Sequence, residues 1–389
     1  MSGKYSKSKR QLIFIKPIFC LTGVLLVGWM LMVDLQAGSP SLKPTGLLFD
    51  LPITSKACPD QDDTTRQDSK SSLVQEGYQT DQQAGQQENP LAGQQDASEF
   101  DGEAAFGYLE RICAIGRRVS ASKGMGQQIE FLTDHFSQLG GQVEQQRFKA
   151  RDPSTGKMVE LTNLIVRWNP DRDERLLLCC HYDTRPFPDS DPINPRGLFI
   201  GANDGASGVA VLCELGKHIE GLGDRYGIDF VFFDAEEFVF LYGRDPMFLG
   251  STHFANQYRK RKGKWKYLYG ILLDMVGDAD LQIYMEGNSL KYCPRLTRSI
   301  WTVAQQLGVK EFIPELRHTI RDDHLPLNEI ARIETCNIID FDYPNPQVGN
   351  IYWHTEKDIP ENCSADSLGK VGRVVLEWLR QFTQLNRVK

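Results

Sequence analysis

Residues 231–238 read VFFDAEEF and place Asp234, Glu236 and Glu237 within four positions, directly after a run of apolar β-formers. Like charges this close repel, and folding alone gives a hydrophobic strand no reason to end on them. Two chemistries use such a cluster: a carboxylate that moves protons, and carboxylates that hold a cation. Other segments end in the same way. LLLCC is followed by His181 and Asp183, GILL by Asp274, and NIIDF, after a proline-containing loop, by His354 in YWHTEKD. Asp204 sits in the glycine-rich GANDGASG, which opens a helical pattern. One strand ending in an acid means little, because Asp is a common helix N-cap. Several such ends, all His, Asp or Glu, point to a divalent metal. Oxygen and imidazole donors without thiolate suit Zn²⁺ in a catalytic site. A dication would also make the crowding of the carboxylates favourable.

The elements that must position these residues are legible as alternating patterns. EAAFGYLERICAIG and GQQIEFLTDHFSQLG carry helical apolar spacing and end near glycine. LTNLIVRW, RLLLCCHYD, IDFVFFD, YLYGILLDMVG and CNIIDFD are short apolar runs, as in strands buried on both faces. GASGVAVLCELGKHIEG and SADSLGKVGRVVLEWLRQF are amphipathic helices. The alternation predicts an α/β fold, a three-layer sandwich with a mostly parallel mixed central β-sheet flanked by helices. No internal repeat is visible.

The 389 residues divide into three regions. Residues 1–16 hold Lys4, Lys7, Lys9, Arg10 and Lys16 and no acid, and residues 17–33 are uncharged and apolar. A basic flank before such a run is an export signal or a single membrane anchor, here 1–37, with the positive side kept in the cytoplasm and the rest outside it. Residues 38–99 are rich in Gln, Asp, Ser and Gly and read as a disordered polar tether. The folded domain spans 100–389. A net charge of −7 argues against nucleic acid as a partner. The short basic run RKRKGKWK at 259–266 reads as a solvated loop or helix end. None of the nine cysteines forms a C-x-x-C pair, which argues against a thiolate zinc site.

HYD, GANDGASG, FFDAEE, LLDMVG and YWHT, in this order, resemble the zinc aminopeptidase family that includes bacterial leucyl aminopeptidases. The animal-type glutaminyl-peptide cyclotransferases, or glutaminyl cyclases, are its non-hydrolytic branch. The resemblance covers about residues 105–383. It implies that Asp204, Glu237 and His354 bind the metal common to both branches. His181 and Asp274 would complete a second zinc site in an aminopeptidase, with Asp204 bridging. Glu236 matches the general acid/base, and Asp183 a residue that orients His181. In the cyclase branch Asp274 and Asp322 would join Glu236 in catalysis, Asp322 hydrogen-bonding towards Asp274, and Tyr242 and Trp353 would line the pocket. The insert FVFLYGRDPMFL, IRDDHLPL with Asp322, and Trp353 before His354 resemble the cyclase. GANDGASGVA is the aminopeptidase form, and the cyclase disulfide is absent, since Val209 stands where a partner of Cys180 would be. The implied function is conversion of N-terminal glutamine to pyroglutamate with release of ammonia, using one zinc. The alternative is a di-zinc aminopeptidase acting on peptide N-termini.

Other residues read more plainly. His324 either orients a ligand or is a structural hydrogen-bonding histidine, and Asp234 either supports the site or caps a turn. His253 reads as a packing residue, and His135, His218 and His318 as structural. Ser207 lacks a matched acid and histidine order for a nucleophile.

Overall fold

The computed structural model describes residues 99–261, 263 and 265–385. The expected anchor at 1–37 lies outside the described residues, as does the tether except Glu99. The chain divides after Gly85, and every described residue belongs to the second unit, Gln86–Lys389. Among the described residues no helix is long and apolar enough to cross a membrane.

Two helices come first, α1 (Gly102–Cys113), capped by Asp101, and α2 (Lys123–Gln138), capped by Ser122. Strands β1 (Gln142–Arg151) and β2 (Met158–Trp168) form an antiparallel hairpin. Then follow β3 (Glu174–His181), α3 (Gly208–Leu215), β4 (Gly227–Phe233), α4 (Leu249–Lys260) and β5 (Lys266–Asp274). A small parallel pair, β6 (Ile283–Met285) and β7 (Phe312–Leu316), brackets α5 (Gly287–Tyr292) and α6 (Pro294–Gln306). Strand β8 (Thr335–Ile339) and helix α7 (Ala365–Leu385) complete the domain.

The main sheet has six strands in the order β1-β2-β4-β3-β5-β8. The four strands from β4 to β8 are parallel, and β2 pairs antiparallel to β4. This is the predicted mixed sheet. Alternation along each strand explains the layers. Leu176, Leu178 and Cys180 face a core shared with α1, α3, α6 and α7, while Leu177 and Cys179 face a second core with Phe254, Ala255 and Leu327. Both faces are covered, so the central strands read as continuous apolar runs. Strand β1 escapes sequence reading because none of its side chains is fully buried; QVEQQRFKAR is a polar edge.

Parallel strands bring their C-terminal ends to one edge, and there the chain offers His181, Asp234 and Asp274. Between β3 and α3 the GANDGASG turn folds onto this edge. Gly205 has φ +104, a conformation other residues rarely adopt. Gly208 presses α3 onto the sheet: a Cβ there would lie 2.4 Å from the Leu273 carbonyl oxygen and 2.8 Å from Cys180 Cβ. We expect Gly208→Ala to destabilise the domain by about 2–3 kcal/mol through overpacking against backbone. Thermal unfolding checks this, and an unchanged melting temperature would mean that α3 retreats without cost.

Candidate metal centre and catalytic pocket

The strand-end residues converge on one cavity of about 320 Å³. Asp204, Glu236, Glu237, Asp274, Asp322 and His354 form its acidic floor, while Tyr242 and Trp353 stand among its apolar walls. His181 lies behind the floor and is 2% exposed. Two groups of three donors form. In one, the ligand atoms of Asp204, Glu237 and His354 lie within 4.8 Å of one another, and in the other those of His181, Asp204 and Asp274 do so. Asp204 divides its oxygens between them. Its Oδ2 is 3.3 Å from His354 Nε2, and its Oδ1 is 3.2 Å from His181 Nε2. His354 Nε2 is also 3.4 Å from Glu237 Oε1, and His181 Nε2 is 3.1 Å from Asp274 Oδ1.

The chain is held in left-handed backbone at four non-glycine residues here: Ala235 (φ 61), Met275 (φ 49), His318 (φ 58) and His354 (φ 56). Such conformations cost about 1–3 kcal/mol each and persist where surroundings enforce them. Ala235 turns the chain so that Glu236 and Glu237 both enter the cavity. Asp183 completes that turn. Its Oδ1 accepts from the Glu236 amide at 3.1 Å and its Oδ2 from the Glu237 amide at 3.0 Å. Asp183 is 3.8 Å from His181 Nδ1, too long for the orienting hydrogen bond expected of it. Asp358 plays the same part beneath GANDGASG, accepting from the amides of Asn203 at 2.7 Å and Asp204 at 3.0 Å. Asp234 accepts from Ser120 Oγ at 2.7 Å and from the Thr162 amide at 2.7 Å, so it ties the strand end to β2 and is not a turn cap.

Electrostatics separates the adjacent glutamates. Burial, and then the charge of Glu237, push the Glu236 carboxyl well above its ordinary range. Burial would raise Glu237 too, but Arg185 and His354 outweigh it and hold Glu237 well below. Adjacent carboxyls driven apart in this way suit an acid/base and a permanent anion. Burial, then the Asp322 charge, lift Asp274 to about 7. Asp322 itself accepts from Asn337 Nδ2 at 2.6 Å. Burial disfavours the charged form of His354, but Glu237 and Asp204 lift it to about 9.

The donors fit a cation. His354 Nε2 is buried without a hydrogen-bond partner, aimed between two carboxylate oxygens. Two carboxylates and an imidazole, without thiolate, are a zinc-type set.

Several functional neighbours escaped sequence reading. Arg185, fully buried, donates to Glu237 Oε2 at 2.6 Å and to Asp189 Oδ1 at 2.6 Å. Its signal was the cation in HYDTR, which could be buried only beside acids. His318, read as structural, lines the cavity and meets Asp342 Oδ2 at 3.0 Å. Phe341 lines it as well. Glu286 caps α5 and accepts from the Ile320 amide at 2.9 Å, so it holds the segment leading into Asp322. His324 meets that same Glu286, at 3.4 Å, and no donor of the cluster. His253 stacks on Phe148 at 4.5 Å, as packing. Tyr242 is 65% exposed and forms a lip of the cavity, whereas Trp353 stacks on His354 with ring centroids 3.8 Å apart.

The sequence model of peptidase family M28 matches residues 163–379. A glutaminyl cyclase from Fimbriiglobus ruber superposes with a TM-score of 0.68 at 39% identity, covering 72% of this chain and 95% of its own. A Zn-dependent exopeptidase from Parabacteroides distasonis superposes with a TM-score of 0.67 at 33% identity, covering 72% and 98%. Glutaminyl-peptide cyclotransferase of Drosophila melanogaster is 24% identical over 66% of this chain and 75% of its own length.

Two outcomes follow from the geometry. Arg185→Met leaves Glu237 buried without its cation, which costs about 3–5 kcal/mol when nothing replaces it. A bound dication supplies the missing charge, so the variant's loss of melting temperature is larger in chelator than in zinc. Equal losses in both would refute the pairing. Glu286 offers a pH test. Burial raises its carboxyl, but His324 and the amides outweigh this and bring it from 4.5 to about 2. A depressed folded value stabilises above the unfolded value and loses that contribution as pH falls through the folded one. The stability gap between wild type and Glu286→Gln therefore shrinks as pH falls from 4.5 towards 2. Denaturant midpoints at a series of pH values measure it, and a gap independent of pH would be the contrary result.

Proposed function

The chain belongs to peptidase family M28, and we propose that within it this domain is a zinc-dependent glutaminyl-peptide cyclotransferase, which converts the N-terminal glutamine of peptides to pyroglutamate. Asp204, Glu237 and His354 would hold the metal. A zinc ion held by these residues would supply a Lewis acid for the γ-amide carbonyl of the glutamine. The attacking group is the substrate's own α-amine, so proximity supplies much of the rate and no activated water is required. Glu236 takes the proton that this amine loses as the ring closes and gives it to the departing ammonia, which balances the reaction. Asp274 and Asp322 steady Glu236 and share the charge of the floor. Trp353, with Tyr242 at the lip, excludes water, which favours ring closure over hydrolysis.

The observation that carries this reading is the likeness to a glutaminyl cyclase, 39% identical with 95% of that chain covered, together with Asp322 and Trp353 at the cavity. Cyclisation needs one metal, because the nucleophile is already tethered to the substrate. A di-zinc aminopeptidase is the second reading, favoured by the division of Asp204 between the two groups of donors. There His181 and Asp274 would complete the second site, and Glu236 would deprotonate water.

We place the domain outside the cytoplasm, exported or membrane-anchored through residues 1–37; the basic flank and the apolar run at 17–33 support this.

A paired assay on one sample decides between the reactions. Ammonia release from a Gln-initiated peptide, slow cleavage of a leucyl amide and one zinc per chain are the expected results. Rapid leucyl-amide cleavage without ammonia release, with two zinc per chain, would replace the first reading by the second. Glu236→Gln should lower cyclisation about 100- to 10,000-fold while the bound zinc stays.

A further inference from the structure

The floor of the cavity is acidic, but its mouth carries one cation. Of the residues lining the cavity, only Arg321 has a side chain that is positive at every working pH. The side chain is exposed and forms no ion pair with an acid among the described residues, and the other positive groups nearby are already engaged. Arg185 is bound to Glu237 and Asp189. Arg317 and His318 both pair with Asp342, at 2.7 Å and 3.0 Å.

The backbone on either side of Arg321 is fixed. The Ile320 amide donates to Glu286 Oε1 at 2.9 Å, and its carbonyl accepts from Asn288 Nδ2 at 2.7 Å. Asp322 is held by Asn337 Nδ2 at 2.6 Å. An unpaired guanidinium therefore projects from a rigid segment at the cavity mouth. A preorganised fork of this kind binds a carboxylate at a reduced entropic cost.

A peptide whose first residue reaches the floor must leave through this mouth. We propose that Arg321 forms a carboxylate-recognition subsite there, selecting peptides in which a carboxylate follows the N-terminal glutamine. The carboxylate is either an acidic side chain at the next position or the free C-terminus of a short substrate. The inference rests on the cyclotransferase reading and deepens it. It also opposes the long-range field. The chain's net charge of −7 disfavours acidic peptides at a distance, so a preference for them has to arise from a local cation.

The test uses ammonia release by the zinc-loaded enzyme at low ionic strength. One arm compares Gln-Glu amide with its neutral isostere Gln-Gln amide, and the other compares Gln-Ala bearing a free carboxylate with Gln-Ala amide. Wild type should favour the carboxylate member of at least one pair by about fivefold in kcat/KM, mainly through KM, and the arm that responds identifies the source. Arg321→Gln should bring that ratio to about one, and Arg321→Glu should reverse it and favour Gln-Lys amide. High salt should shrink the wild-type ratio. Both variants should melt like wild type, since the side chain is exposed. Ammonia release with a wild-type ratio of one, or a ratio unchanged in both variants, overturns the subsite and leaves the cyclotransferase reading standing. No ammonia from any of these peptides overturns both.

Discussion

Buried carboxylates that cannot all be charged at once govern the edge of this sheet. Asp204, Glu236, Glu237, Asp274 and Asp322 are gathered where the parallel strands end. Bare, they would repel one another in a medium that screens poorly. The domain answers in three ways. Arg185 and His354 keep Glu237 an anion. Burial, with the charge of Glu237, pushes the Glu236 carboxyl above its usual range. Asp274 sits between, shared by His181 and Asp322. A dication among Asp204, Glu237 and His354 would relieve the remainder, and would draw Glu236 back towards the range in which a carboxylate accepts a proton. The same crowding that makes the edge unfavourable without metal thus provides both a ligand and a base with it.

The loops that carry these groups are held by a second set of acids, which use backbone amides. Asp183 grips the amides of Glu236 and Glu237, Asp358 those of Asn203 and Asp204, and Glu286 those of Asn288 and Ser289 together with that of Ile320. A carboxylate that bridges two successive amides fixes two peptide planes at once. The left-handed turn at Ala235 is tolerated under such constraint. An arrangement of this kind places ligand atoms within a few tenths of an ångström, as a metal centre needs.

Much of this was legible in the sequence because its physical cause is local. A strand covered on both faces must be continuously apolar, so β3, β4, β5 and β8 declare themselves. Their parallel run then forces His181, Glu236, Glu237 and Asp274 to one edge. What escaped depends on partners distant in the chain. Strand β1 is polar because nothing covers its outer side. Arg185 drew no assignment from the sequence, because Glu237, which holds it, lies 52 residues away. Asp183 was expected to bind the neighbouring imidazole, two residues away, and instead serves amides 53 and 54 residues on. His318 reached the cavity through a left-handed turn at the end of β7, with φ 58, which no apolar periodicity announces.

The ligand set does not by itself choose between ring closure and hydrolysis, since both groups of donors are assembled. The choice falls on the neighbours. Asp322 stands beside Asp274, and after burial its charge is what raises the Asp274 carboxyl. Trp353 covers one face of His354, so the imidazole proposed to hold the metal is shielded from solvent on that side. In the cyclotransferase reading no second cation is needed to hold a water beside an amine, and the indole would keep water from the floor. A peptide whose nucleophile is already part of the substrate loses nothing by either. In the proposed assignment the reaction is therefore set by two residues that contribute no donor to the metal, one acting through charge and the other through the space it fills.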